Sequence, residues 1–328
     1  MKMFKKICMS LSLVSLGLFA TSCNSNADQI KIGVLQLATH GALDQAYEGF
    51  KDALESGGFV DGKQIKITFQ NPEGQDSDMS TMAKSLVRDN ELVLAIATPA
   101  AVAVQTAAKA QNSSAKILFT AVTDPVDAGL VASNEVPGGN ITGTNDMNPV
   151  VQQIDLVKEL IPSIKTLGIL YTISEENSKV QAELAQARAE AVGLKVIVAT
   201  VVDATDISST TRKLINDGAE VIYIPTDNNL AKNIPSVTNI SDELKVVTIC
   251  GEGNMVTAGG TITLGINYYK LGKLTGEMAI EIIKNGKSPA TMPVLSLSDS
   301  EYSISINDEA IEKIGIVVPD SIKSRISE

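Results

Sequence analysis

From residue 30 onward, short runs of Ile, Val and Leu alternate with longer stretches whose apolar residues recur every three or four positions. Ile30-Lys31-Ile32-Gly33-Val34-Leu35 has the length and β-branched content of a strand. Asp44 to Ser56 then sets Ala46, Phe50, Ala53 and Leu54 on one helical face. The pattern predicts further strands at 64–69, 92–97, 116–121, 165–171, 194–201, 220–224, 245–250 and 261–266. It predicts helices over 77–89, 99–111, 149–160, 176–191, 207–217, 229–241 and 269–285. The last stretch, 294–328, reads as strand, strand and short helix. Strands that alternate with helices form βαβ units and parallel sheets covered on both faces. The fold class is therefore α/β.

The pattern also returns at long range. Ile30 to Leu35 recurs loosely as Ile164 to Leu170, Ala95-Ile96-Ala97-Thr98-Pro99 as Tyr223-Ile224-Pro225-Thr226-Asp227, and Lys116 to Thr120 as Lys245 to Ile249. Each pair is offset by roughly 130 residues, far longer than a solenoid period. Two α/β halves of one topology explain the order. Ligands of such sheets bind beyond the carboxyl ends of the strands. If the halves face each other, one cleft is lined by Thr39-His40-Gly41, Thr98-Pro99-Ala100, Thr123-Asp124-Pro125, Ser174-Glu175-Glu176, Thr226-Asp227-Asn228 and Gly251-Glu252-Gly253.

The first residues follow another pattern. Lys2, Lys5 and Lys6 precede a mostly apolar run from Ile7 to Ala20, and small residues then lead into Cys23. A basic start, a short apolar run and small residues at the cut describe a secretory signal peptide. The run is short for a bilayer span, which needs roughly 20 residues. Small residues before a Cys resemble the lipobox of bacterial lipoproteins, although Ala20 stands where Leu is commonest. Residues 1–22 are then the signal, Cys23 is the lipidation site and 23–29 are the tether. The alternative is an ordinary secreted protein with an incidental Cys.

Cleavage there leaves 24 basic against 38 acidic residues, a net charge of −14. Such a surface repels nucleic acid and anionic head groups. No nucleic-acid partner is expected, and lipid is left as the membrane attachment. About 300 residues suffice for two cores, and with no Trp and only six Tyr and six Phe these are aliphatic. Cys250 is the only Cys after Cys23, so no intramolecular disulfide forms. It reads as a small buried apolar residue. One His and one Cys make no zinc site of the usual kind, and no metal or cofactor is expected.

The loops carry polar chemistry. Thr98-Pro99-Ala100-Ala101 looks like a helix start, with Thr98 as cap and Pro99 at the first position. Its free N–H donors suit a carboxylate or simply serve the helix itself. Asp124, Asp227 and Glu252 could each take an ammonium group or each cap a turn. Catalytic patterns are missing. There is no G-x-S-x-G, no P-loop and no H-E-x-x-H, and Gly33 is not followed by G-x-G-x-x-G. His40 has no obvious nucleophile to activate, so no catalytic residue is assigned and the chain is read as a non-enzyme.

With these loops in view, the chain resembles the ABC-transporter substrate-binding proteins of the tryptophan/tyrosine-binding type. The resemblance rests on His40-Gly41-Ala42-Leu43-Asp44, Ala97-Thr98-Pro99-Ala100-Ala101, Phe119 to Val126, Pro137-Gly138-Gly139-Asn140-Ile141-Thr142-Gly143, Glu176-Asn177-Ser178, Pro225-Thr226-Asp227-Asn228, Tyr268-Tyr269-Lys270-Leu271-Gly272 and the tail from Ile306-Asn307 to Gly315-Ile316. Gly41 stands in place of the usual Pro, and Asn267 in place of an Asp. The resemblance implies a two-lobed type I periplasmic-binding-protein-like fold with three crossovers. Lobe I would be 30–144 plus 267–292 and lobe II 145–266 plus 293–328, hinged near Thr144, Asn267 and Pro293.

It also implies a function. The protein would be a monomeric extracytoplasmic receptor, lipid-anchored in the cell membrane, that hands a small ligand to an ABC permease and its ATPase. The leading ligand is an aromatic amino acid, tryptophan or tyrosine. Thr98, Ala100 and Thr123 would hold the carboxylate, and Asp124, Asp227 or Glu252 the ammonium. His40, Asn177 and Asn228 would add contacts, with Pro99, Ser178, Thr226 and Tyr268 completing the site. A sensory ligand-binding domain and a secreted α/β enzyme using the same cleft are the alternatives.

Overall fold

A computed structural model describes residues 29–326. The first sheet holds β1 (Ile30–Gln36), β2 (Ile65–Gln70), β3 (Leu92–Ile96), β4 (Lys116–Val122) and β5 (Ile141–Asn145), in the order β2-β1-β3-β4-β5. All its pairings are parallel. Helices α1 (Gly41–Ser56), α2 (Asp76–Asp89) and α3 (Thr98–Gln111) link the first four strands. Covering on both faces leaves every residue of β3 buried, as a central parallel strand requires.

After β5 come α4 (Val150–Leu160), β6 (Thr166–Thr172), α5 (Glu176–Ala191), β7 (Lys195–Val201), α6 (Ile207–Asn216), β8 (Val221–Ile224), α7 (Asn228–Lys232), α8 (Pro235–Glu243), β9 (Val247–Cys250), α9 (Gly253–Thr257) and β10 (Ile262–Gly265). These strands join β11 (Ser303–Ile306) in a second sheet of order β11-β10-β9-β8-β6-β7. Only β11 runs antiparallel. One apolar core, built on α4, α5 and the final helices α11 (Asp308–Ile314) and α12 (Asp320–Lys323), fills one face of this sheet. A second core beneath α6, α7, α8 and α9 fills the other.

The chain passes between the sheets three times. It leaves the first sheet after β5 and returns after β10 to form α10 (Tyr268–Asn285). Helix α10 packs against α1 along small residues. A Cβ at Gly272 would overlap the Ala46 carbonyl oxygen, one at Gly49 the Tyr269 carbonyl oxygen, and one at Gly276 would lie 2.5 Å from Ala53 Cβ. The third passage falls beyond Pro293, the position expected from the sequence. Val294 packs in the first core, and Leu295 bonds β5 through both its N–H and its carbonyl, at 3.0 and 2.9 Å.

Four parts of the chain depart from the predicted pattern, one of them the last stretch, whose described residues hold a single strand, β11, and two α-helices, α11 and α12, where two strands and one helix were predicted. Strand β5 was not expected, because Ile141-Thr142-Gly143-Thr144-Asn145 is mostly polar. Gly143 is required there, since a Cβ would strike Phe119 on β4. The predicted helix 229–241 is two helices, broken where Pro235 opens α8. Helix α9 has five residues, too few for a periodic signal.

Candidate functional site

The carboxyl ends of both sheets face one cleft. Its innermost part is a narrow cavity bounded among others by His40, Thr123, Asp146, Asn177, Asp227, Asn228, Glu252 and Tyr268. Thr226 also lines it. Thr98, Pro99 and Asp124 lie together on an adjoining part of the cleft that meets the cavity at Asn177. Ala100 is fully buried in the first core and forms no wall of either part. Ser178 is turned inward as well, donating its hydroxyl to the Thr226 carbonyl at 3.2 Å.

The first lobe supplies strained backbone. Ala97, between β3 and α3, has φ +88° and ψ 153°, and Ala121 near the end of β4 has φ +55°. L-residues enter these regions at a cost on the order of 1–3 kcal/mol, and such strain gathers at ligand sites. Thr98 follows at the first turn of α3, buried, with Oγ1 lacking any partner. Thr123 Oγ1 donates to Asp146 Oδ1 at 3.3 Å. Asp124 is committed locally, accepting the amides of Val126 and Asp127 at 3.0 Å each.

The second lobe uses its acids as caps. Asp227 caps α7, accepting the Leu230 amide and the Thr172 hydroxyl at 2.8 Å and the Thr172 amide at 2.6 Å. Glu252 caps α9 through the amides of Asn254 and Met255 at 2.5 and 2.8 Å. Glu175, just before α5, accepts the Asn228 and Asn229 amides at 2.9 Å each. Asn177 donates to the Thr226 carbonyl at 2.9 Å and leaves its buried Oδ1 unpartnered. Asp146 stands on the first crossover and accepts the Tyr268 hydroxyl at 2.6 Å.

Burial governs the charges. It raises the Asp146, Asp227, Glu175 and Glu252 carboxyls above their usual range, the last two to about 7. Glu175 and Asp227 also repel each other. Burial lowers His40, against an opposing bond from Asn228. Among the described residues no Lys or Arg lines the cavity. The cavity therefore holds acceptors and buried carboxyls with no fixed cation, an environment that favours a positively charged, donor-rich guest. Burial also pushes the Cys250 thiol up to about 12, which leaves it unreactive. No group of three His, Cys, Asp or Glu among the described residues could hold a metal ion.

Sequence reasoning missed Asp146 and Glu175 as site residues. Asp146 lay in a stretch without periodicity, and Glu175 was seen only as a loop acid beside the Glu176-Asn177-Ser178 motif.

Two facing parallel-sheet lobes joined by three passages, with a polar cavity between them, define a type I periplasmic-binding-protein-like binding protein. The chain belongs to the ABC transporter substrate binding protein family, whose model matches residues 31–328. That family comprises binding proteins and not enzymes. A tyrosine-binding protein of Clostridioides difficile is 37% identical over 310 residues, spanning 93% of this chain and 88% of that one. A Streptococcus pneumoniae ABC domain crystallised with L-Trp is 38% identical, with TM-score 0.85 over 91% of this chain and 99% of that one. A ligand-free, open substrate-binding protein with adhesive properties from Clostridium difficile, also 38% identical, covers 91% and 98% of the two chains, with TM-score only 0.69. At equal identity, this chain superposes better on the tryptophan complex than on the open protein.

Proposed function

We propose that this protein is the lipid-anchored extracytoplasmic receptor of an ABC importer, and that it binds an aromatic amino acid between its lobes. The observation that carries the ligand class is the cavity whose walls include three buried carboxyls and neither Lys nor Arg. The ammonium of an amino acid supplies the missing charge. Unused donors at the start of α3, with the Thr98 hydroxyl, suit its carboxylate. Relatives whose names and structures carry tyrosine and tryptophan support the aromatic side chain. His40, Asn177 and Asn228 close over the ligand from either lobe. Cys23 lies outside the described residues, and its role rests on the sequence before it. A permease and its ATPase take up the ligand after closure.

Calorimetric titration tests the ligand. L-Tryptophan or L-tyrosine should bind with a dissociation constant in the micromolar range or below, while nucleosides and sugars leave the enthalpy flat. Equal binding of an uncharged sugar would overturn the ligand class.

A further inference from the structure

We infer that Asp146, on the first crossover, is the carboxylate that receives the ligand's ammonium group, and that Asp227 and Glu252 are structural. The inference rests on the amino-acid reading above and decides which acid serves it.

An ionised carboxylate has about four acceptor positions. Asp227 uses three, all within its own lobe and two of them on backbone amides. Glu252 likewise takes two backbone amides and the Asn254 side-chain amide. Both acids are the caps of α7 and α9, and turning either toward a ligand would strip a helix end of its partner. Asp146 differs. Among the described residues its side chain receives two hydroxyl groups, Thr123 at 3.3 Å and Tyr268 at 2.6 Å, and no backbone amide of another residue. It is 4% exposed, lines the cavity and caps no helix. A buried carboxylate with spare lone pairs and no cation is the group a cationic ligand would satisfy best.

A second observation points into the same cavity. Asn177 is 7% exposed and its Oδ1 accepts no bond, although its amide nitrogen is fully engaged. An ammonium has three donors, and Asp146 and Asn177 offer acceptors from the two sides of the cleft.

The position of Asp146 adds a consequence. It sits between the last residue of β5 and the start of α4, while its partner Tyr268 opens α10 after the second crossover. Asn148 ties the same two passages together, accepting the Ile266 amide at 3.2 Å. A ligand bound at Asp146 is therefore bound at the hinge, where small rotations become lobe closure.

The test compares L-tryptophan with indole-3-propionate, which lacks only the ammonium, on wild type, Asp146→Asn, Asp227→Asn and Tyr268→Phe, with thermal melts to establish folding. Asp146→Asn should lose about 10- to 100-fold affinity for tryptophan and little for indole-3-propionate. Tyr268→Phe keeps the carboxylate and should keep the preference for tryptophan. Asp227→Asn should lower the melting temperature and leave that preference intact. A selective loss in Asp227→Asn, or equal losses for both ligands in a folded Asp146→Asn, would overturn the assignment. Wild type that binds neither tryptophan nor tyrosine would instead remove the amino-acid reading itself.

Discussion

His40 Nε2 and Asn228 Oδ1 lie 3.2 Å apart across the cleft, one at the head of α1 and the other opening α7. The contact requires the proton on Nε2 of a neutral imidazole, and burial keeps the ring neutral. It exists only when the lobes meet, so it contributes to closure and not to the folding of either lobe. A neutral hydrogen bond of this kind is worth roughly 0.5–1.5 kcal/mol. His40→Ala should therefore weaken ligand binding about 2- to 10-fold while leaving the melting temperature of the unliganded protein within about a degree of wild type. In a double-mutant cycle, Asn228→Ala should cost less affinity when His40 is already gone. Additive losses by calorimetry would show that the pair does not couple the lobes.

Lys232 and Glu73 form a second bridge at the rim, 2.5 Å between Nζ and Oε2. Glu73 also accepts the Thr39 hydroxyl at 2.5 Å, and these two bonds hold its carboxyl below the usual range. Both ends are well exposed, with 37% and 45% of their side-chain surface accessible. Screening therefore limits the bridge to less than about 1 kcal/mol. Lys232→Ala should reduce affinity by no more than about fivefold in low salt. In 1 M NaCl the difference from wild type should nearly vanish, and a salt-independent loss measured by calorimetry would argue for another role of Lys232.

Gly272 carries a stability prediction. Helices α1 and α10 are separated by no side chain at this point, and a Cβ would meet the Ala46 carbonyl, which the helix holds in place. Backbone cannot move aside as a flexible side chain does. Gly272→Ala should destabilise the protein by about 1–3 kcal/mol, the usual range for overpacking. Urea unfolding checks this, and a stability equal to wild type would mean that the helices can part without cost.

Cys23 lies outside the described residues, and the net charge of −14 on residues 23–328 gives the lobes no electrostatic hold on anionic lipid. Cys23→Ser should move the protein from the membrane fraction to the medium or periplasm with ligand affinity unchanged. Retention of the variant in washed membranes would contradict lipid anchoring.

The α/β alternation was readable because buried parallel strands such as Leu92–Ile96 are unbroken apolar runs, and because the helices between them keep a clear apolar face. The loops at the strand ends were readable for the same reason, as each follows such a run. Those loops hold His40, Thr123, Thr226, Asp227, Asn228 and Glu252, which line one cavity together with Asn177 and Tyr268, the two that only the resemblance supplied. Strand β5 was hidden because its place in the sheet is won by Gly143 fitting against Phe119 and not by apolar content. Asp146 was hidden because its importance comes from partners 23 and 122 residues away, a distance over which no local pattern acts. Nor does local pattern show which acid is occupied. Asp124, Asp227 and Glu252 look alike as sequence, and only the bonds they accept separate a capped turn from a free acceptor.

The buried acids predict an unusual pH dependence. Burial raises Glu252 from 4.5 to about 7 in the folded protein, whereas the unfolded chain titrates near the ordinary value. Between these limits the folded state binds more protons than the unfolded state. Stability is therefore highest toward pH 4.5, falls as pH rises and levels off above pH 7. At about 1.4 kcal/mol per pH unit, Glu252 alone contributes a fall on the order of 3 kcal/mol. Glu175, Asp227 and Asp146 shift in the same direction. His40, lowered by burial, opposes them below its unfolded value of 6.5, one group against four. Paired surface acids such as Glu73 act below pH 4.5, where their stabilisation is lost on acidification. An ammonium ligand reverses the penalty by favouring the ionised carboxyls. Melting temperature of the unliganded protein should thus fall from pH 5 to 7.5, and the increase on adding saturating tryptophan should widen over the same interval. Binding near pH 6.5 should release protons, seen as a titration enthalpy that depends on the ionisation enthalpy of the buffer. An unliganded melting temperature that rises steadily from pH 5 to 7.5 would show that these carboxyls are ionised throughout, satisfied by their own caps.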